Sequence, residues 1–115
     1  MILKDGVVMQ GLHPVMRAVL RETEILWKRM HHPEGVTITE VCGGVHSAVS
    51  WHYYGFALDL RLNYIDKGLV GPDLDGLYLQ TVLMELLPDF DIVVHSTHMH
   101  IEIGNALAKQ LGVYY

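Results

Sequence analysis

Apolar side chains recur at three- and four-residue intervals early in the chain. Val15, Val19, Leu26 and Met30, with Met16, Leu20, Thr23 and Trp27, trace one stripe, while Arg17, Arg21, Glu24 and Lys28 fall on the other side. This spacing predicts an amphipathic helix over "HPVMRAVLRETEILWKRM". Pro14 suits its first position, where a missing N–H costs nothing, and "HHPEG" breaks it. Trp27 and the methionines of the stripe read as core. The period then changes to two. "VTITEV", residues 36 to 41, is β-branched and alternating, and "FALDLRL", 56 to 62, puts Phe56, Leu58, Leu60 and Leu62 on one face and Ala57, Asp59 and Arg61 on the other. Both read as strands. "CGGVHSAVS" and "NYIDKGLVGPD" read as loops. "LDGLYLQTVLMELL", 74 to 87, predicts a second helix stopped by Pro88. "DIVVH" and "HMHIEI" predict two more strands, joined tightly near Ser96 and Thr97. Helices segregated from a run of strands imply an α+β fold, a small antiparallel sheet with helices packed on one side.

Composition narrows the class. At 115 residues and half hydrophobic, the chain suits one domain, 1–115, with a proper core. A net charge of −5 with scattered Lys and Arg gives no nucleic-acid footprint. No apolar run reaches membrane-spanning length, and "MILKDGVVMQG" lacks the h-region of a signal peptide. A single cysteine, Cys42, forms no intrachain disulfide and reads as a small buried or loop residue. The chain is therefore expected to be soluble and made in the cytoplasm. The apolar tail "LGVYY" offers a surface for a partner, but oligomeric state is left open.

The oddity is histidine, eight in all. His31 and His32 sit by Pro33 in a turn, and His13 precedes Pro14; none of these needs a function. His52, His95, His98 and His100 cluster, with His46 close by. On a strand over "HMHIEI", His98, His100 and Glu102 share one face and Met99, Ile101 and Ile103 the other. His52 and Asp59 lie seven positions apart and would point to opposite faces of one continuous strand. They converge only if the chain bends, and Gly55 supplies the bend by adopting positive φ. Asp59 inside an apolar strand is costly unless partnered, either by a cation such as Arg61 or by a metal. Two imidazoles and one carboxylate on tetrahedral zinc leave one position open, a catalytic arrangement. The same donors match the triad of non-haem iron oxygenases, although that class wants His-x-Asp on one strand. Arg61, on the face of Asp59, orients a substrate carboxylate or neutralises Glu102. Tyr53 and Tyr54 read as packing beside a glycine.

"SWHYYGFALD" has the form S-x-H-x-x-G-x-A-x-D, and "HMH" follows near the C-terminus. Together they resemble the zinc peptidases related to D-alanyl-D-alanine carboxypeptidases, lysostaphin-type enzymes and murein endopeptidases, whose fold is shared with the hedgehog signalling domain. "GGVHSAVSWHYYGFALDLR" looks especially like small phage-encoded cell-wall peptidases, in which a histidine at the place of His46 recurs. The resemblance implies zinc as cofactor, with His52, Asp59 and His100 as ligands. It implies that Ser50 and Gly55 support the loop, and that His46 and Ser50 join Arg61 in binding substrate. His98 would sit beside the reacting water. The implied substrate is a peptide amide bond of peptidoglycan, often involving a D-amino acid, reached after release or by another export route. Many relatives carry an acidic general base three positions before the last ligand, where this chain has Thr97. The murein endopeptidase branch instead has histidines at minus five and minus two, as His95 and His98 stand here. The catalytic residues implied are therefore His98 and His95. A non-catalytic zinc-binding domain of hedgehog type is the competing expectation.

Overall fold

The structure, a computed structural model, describes residues 1–42 and 55–112. The strands are β1 (Ile2–Leu3), β2 (Thr37–Cys42), β3 (Ala57–Arg61), β4 (Phe90–Val94) and β5 (His98–Ile103), and the helices are α1 (Arg17–Arg29), α2 (Gly76–Leu86) and α3 (Asn105–Gln110). They form one compact α+β fold on a five-stranded sheet ordered β1-β2-β3-β5-β4. The sheet is mixed, which corrects the antiparallel expectation: β1 runs parallel to β2, and the β2–β3, β3–β5 and β5–β4 pairs are antiparallel. An edge of two residues carries no periodicity, so the pattern of "MILKD" could not announce it. The short helix α3 was missed for a similar reason, since its six residues "NALAKQ" span less than two turns.

Local chemistry sets the boundaries. A 3₁₀ turn over Pro14–Met16 opens α1, and its cap is His13, whose Nδ1 accepts from the Val15 N–H at 3.1 Å while its ring stacks on Phe56. Thr23, the one polar member of the apolar stripe, is buried and donates its hydroxyl to the Val19 carbonyl at 2.7 Å, so it enters the core satisfied. Asp75 caps α2 through the Tyr78 N–H.

Two polar side chains outside the predicted apolar stripe prove to be structural. Glu24 accepts from the Val36 N–H at 2.8 Å and ties α1 to the start of β2. Burial works against its charge, but this bond, the nearby N-terminal ammonium and Lys28 together hold its carboxyl below the usual range. His32 is buried, with its Nε2–H on the Pro72 carbonyl at 2.7 Å and its ring against Tyr64. It pins the turn after α1 to the loop before α2.

The core lies on one side of the sheet. Ile38, Leu58, Leu60, Met99 and Ile101 point into it and meet Val19 and Trp27 of α1 and Leu79 and Leu83 of α2. A smaller cluster of Phe56, Ile103 and Ala108 seats α3 at one end. No helix among the described residues is long and apolar enough to cross a membrane.

Candidate metal centre

The opposite face of the sheet carries the polar residues, and strand register decides which of them meet. In the β3–β5 pairing Asp59 stands across from His100, Arg61 across from His98, and Ala57 across from Glu102. Alternation had placed each residue on its face; the register adds that Asp59 and His100, 41 positions apart, are direct partners. The His100 Nδ1–H donates to Asp59 Oδ1 at 2.7 Å, and His98 Nε2 lies 3.9 Å from Asp59 Oδ2. Glu102 Oε1 stands 3.7 Å from His100 Nε2. Asp59 is only 9% exposed. Its hydrogen bond raises the affinity of the His100 imidazole for a proton; burial opposes this, and the charges of Asp59, Glu102 and Glu40 reinforce it.

His95 and His98 lie side by side, ring centroids 4.6 Å apart and planes within 22°, and Thr97 Oγ1 shares a 3.2 Å hydrogen bond with His98 Nδ1. The tight β4–β5 connection produces this cluster, closed by the His95 N–H on the His98 carbonyl. Arg61 does not face Glu102, whose register partner is Ala57, four positions away on β3. Its Nε is buried and has no hydrogen-bond partner among the described residues.

Glu40 was not read as part of the site. The β2–β3 register slips between Ile38 and Glu40, so that Glu40 pairs with Asp59 while Val41 returns to the core side opposite Leu58. This is a β-bulge, and strict alternation from Ile38 would have driven Glu40 into the core. The apolar residues Ile38 and Val41 stand three apart rather than two, which was a legible sign of the bulge. Lys4 and Lys67, also unforeseen, line a cleft of about 250 Å³ with Asp59, Arg61, Thr97 and His98. Nothing in their local pattern marks them, because Lys4 follows the edge strand and Lys67 ends a 3₁₀ turn.

Gly55 has φ +79°, as the bend required. It is also packed: a Cβ there would run into the Gly11 carbonyl oxygen, and its own carbonyl accepts from the His13 N–H at 2.9 Å. His46, Ser50 and His52 lie outside the described residues. Among the described residues no three His, Cys, Asp or Glu side chains are disposed to hold one ion; Asp59 and His100 supply two donors. Neighbouring donor atoms on tetrahedral zinc stand about 3.3 Å apart for bonds of ~2.0–2.1 Å. The Asp59–His100 contact, at 2.7 Å, is a proton-bridged pair that would have to lose its proton and part by about 0.6 Å to accept an ion. The two donors fit zinc in type and position.

The chain matches no protein-family model, no curated protein and no solved structure.

Proposed function

We propose that this chain is a zinc-dependent peptidase that hydrolyses amide bonds in peptidoglycan peptides. The single observation that carries the reading is the pairing of Asp59 with His100 at 2.7 Å on the open face of the sheet, with His98 within 3.9 Å of the same carboxylate. The motif residues of "SWHYYGFALD" and "HMH" give the reading its substrate class, and His52 is the third ligand in it. Zinc, when bound, supplies the Lewis acid that activates a water and polarises the scissile carbonyl.

The chain's own residues then divide the work. Asp59 and His100 hold the ion. His98 is set two register positions along the same face, with Nδ1 occupied by Thr97 and Nε2 turned toward Asp59. A neutral imidazole there accepts the proton of the attacking water and returns it to the leaving amine. His95, stacked on His98, is the next imidazole in line. Arg61 faces the same cleft and meets the substrate.

One observation favours a second reading, a zinc-binding domain of hedgehog type without hydrolysis. The place of the usual acidic base is taken by Thr97, whose hydroxyl cannot act as a base at neutral pH. Zinc content of protein purified without added metal, measured with cleavage of stem peptides, tests both. About one zinc per chain with cleavage supports the peptidase, and zinc without cleavage gives the binding domain. Iron in place of zinc sinks both.

A further inference from the structure

Glu102 lies on the open face of β5, two positions beyond His100, and is partly buried. In the sheet register its neighbours are Ala57 on β3 and Asp91 on β4. Two carboxylates directly opposite each other on a sheet repel, so the Glu102 charge brings no stability from that side. Its Oε1 stands 3.7 Å from the Nε2 of His100, while Asp59 Oδ1 stands 2.7 Å from the Nδ1 of the same ring. One imidazole is thus set between two carboxylates, one at each nitrogen. The lone pairs of the two ring nitrogens diverge, so an ion held beside Asp59 takes Nδ1 and leaves Nε2 pointing away from it. Glu102 is therefore no ligand to that ion, in keeping with the described residues, where no three His, Cys, Asp or Glu side chains converge.

Which nitrogen of an imidazole carries the proton is set by the partner at the other. In the metal-free chain Asp59 has the advantage: its contact is a short hydrogen bond, whereas 3.7 Å to Glu102 is too long for one. Metal binding reverses the order, because a ligating nitrogen must be deprotonated. With Nδ1 given to an ion, the neutral ring keeps its proton on Nε2, and the carboxylate facing that nitrogen is Glu102. Closing the gap by about 0.7 Å makes a charge-assisted hydrogen bond of ~3.0 Å, a movement that the torsions of a partly buried Glu supply. From this geometry we infer that Glu102 is the positioning residue of the metal centre, receiving the Nε2–H of His100 and so fixing the ring with Nδ1 toward the ion. A carboxylate in that place holds the orientation of the ring and raises its basicity as a ligand. The inference rests on the metal centre of the proposed function and not on hydrolysis.

The test is a zinc titration of the full chain against a competing chelator, for the parent, Glu102→Ala and Glu102→Gln. It is joined to melting curves of the chelated proteins and to NMR of histidine labelled with nitrogen-15. Glu102→Ala should lose roughly 10–100-fold in zinc affinity, the usual effect of removing a partner behind a ligand. Glu102→Gln keeps an acceptor without the charge and should lose less. Neither chelated variant should melt below the parent, because the repulsion with Asp91 is relieved; a merely structural role would lower both. In the parent the His100 proton should sit on Nδ1 with chelator and on Nε2 with zinc, and the Nε2–H should exchange with water faster in zinc-loaded Glu102→Ala. Equal zinc affinity in Glu102→Ala and the parent overturns the inference. So does a loss of affinity matched by a loss of stability in the chelated protein, or a zinc-loaded parent with the proton still on Nδ1. A parent that binds no zinc overturns the inference together with the metal centre. Zinc affinity that depends on Glu102, in a protein that cleaves no stem peptide, upholds the inference while the peptidase reading falls.

Discussion

The two faces of the central strands β3 and β5 are made of interleaved residues of the same ten or so positions, yet they obey different rules. On one face Leu58, Leu60, Met99 and Ile101 are fully buried against the helices. Any apolar side chain of similar volume would serve there, because burial is non-directional and scales with area. On the other face Asp59, His98 and His100 are held by contacts of 2.7 and 3.9 Å. There an exchange of chemical type, even at equal volume, breaks the contact. The difference teaches where to look in a small α+β domain. The apolar face keeps the sheet in register, and the register is what brings a carboxylate and an imidazole 41 positions apart to the same spot.

The sharpest break of this comparison is between neighbours on β5. If His100 is the ligand proposed, His100→Ala should abolish both zinc content and hydrolysis while the fold is kept, as read by metal analysis and circular dichroism. His98→Ala, on the same face, should keep most of the zinc and lose roughly 10²–10⁴-fold in rate, the usual loss when a general base is removed. A variant that cleaves as fast as the parent would move the base to His95.

Between them stands Met99, which points the other way and is fully buried. Met99→Ala should lower stability by about 2–5 kcal/mol in denaturant titration. Its remaining folded fraction should bind zinc as the parent does. A large loss of zinc affinity at unchanged stability would show that the two faces are not separable.

Gly55 joins the faces at the entrance to β3. Gly55→Val strains a residue at φ +79° and drives its side chain into the Gly11 carbonyl, so zinc affinity should fall though no ligand has been removed. Equal zinc affinity in variant and parent would refute the role of the bend.

The smallest effect is in pH. His100 has its proton affinity raised in the folded, metal-free chain by the Asp59 hydrogen bond. Stability from this contact is fully present below the unfolded imidazole value, about 6.5, and is lost as pH rises through the higher folded value. Zinc requires the neutral ring, so its affinity should rise over the same window. Melting curves with chelator should therefore fall across this range, and curves with zinc should not. The same slope under both conditions would mean that His100 is not a ligand.

Much of this molecule was settled locally. The 3.6 period of residues 13 to 30 produced α1, the two-residue period of "FALDLRL" and "HMHIEI" produced β3 and β5 with their faces correctly sorted, and Pro88 closed α2 one residue beyond its last turn and cap. These features come from side-chain direction and backbone sterics within a few residues, which the sequence alone carries. Asp59 and the histidine pair could be chosen as a site for the same reason, since polar residues on an otherwise apolar strand need partners. What they partner was decided elsewhere. The pairing of β3 with β5, the bulge that turns Glu40 toward Asp59, the parallel edge β1, the burial of His32 and the cleft that gathers Arg61, Lys4 and Lys67 all depend on contacts between distant segments. Such contacts are fixed by how the whole core closes, a collective outcome that no local period records, and only the tertiary structure supplies it.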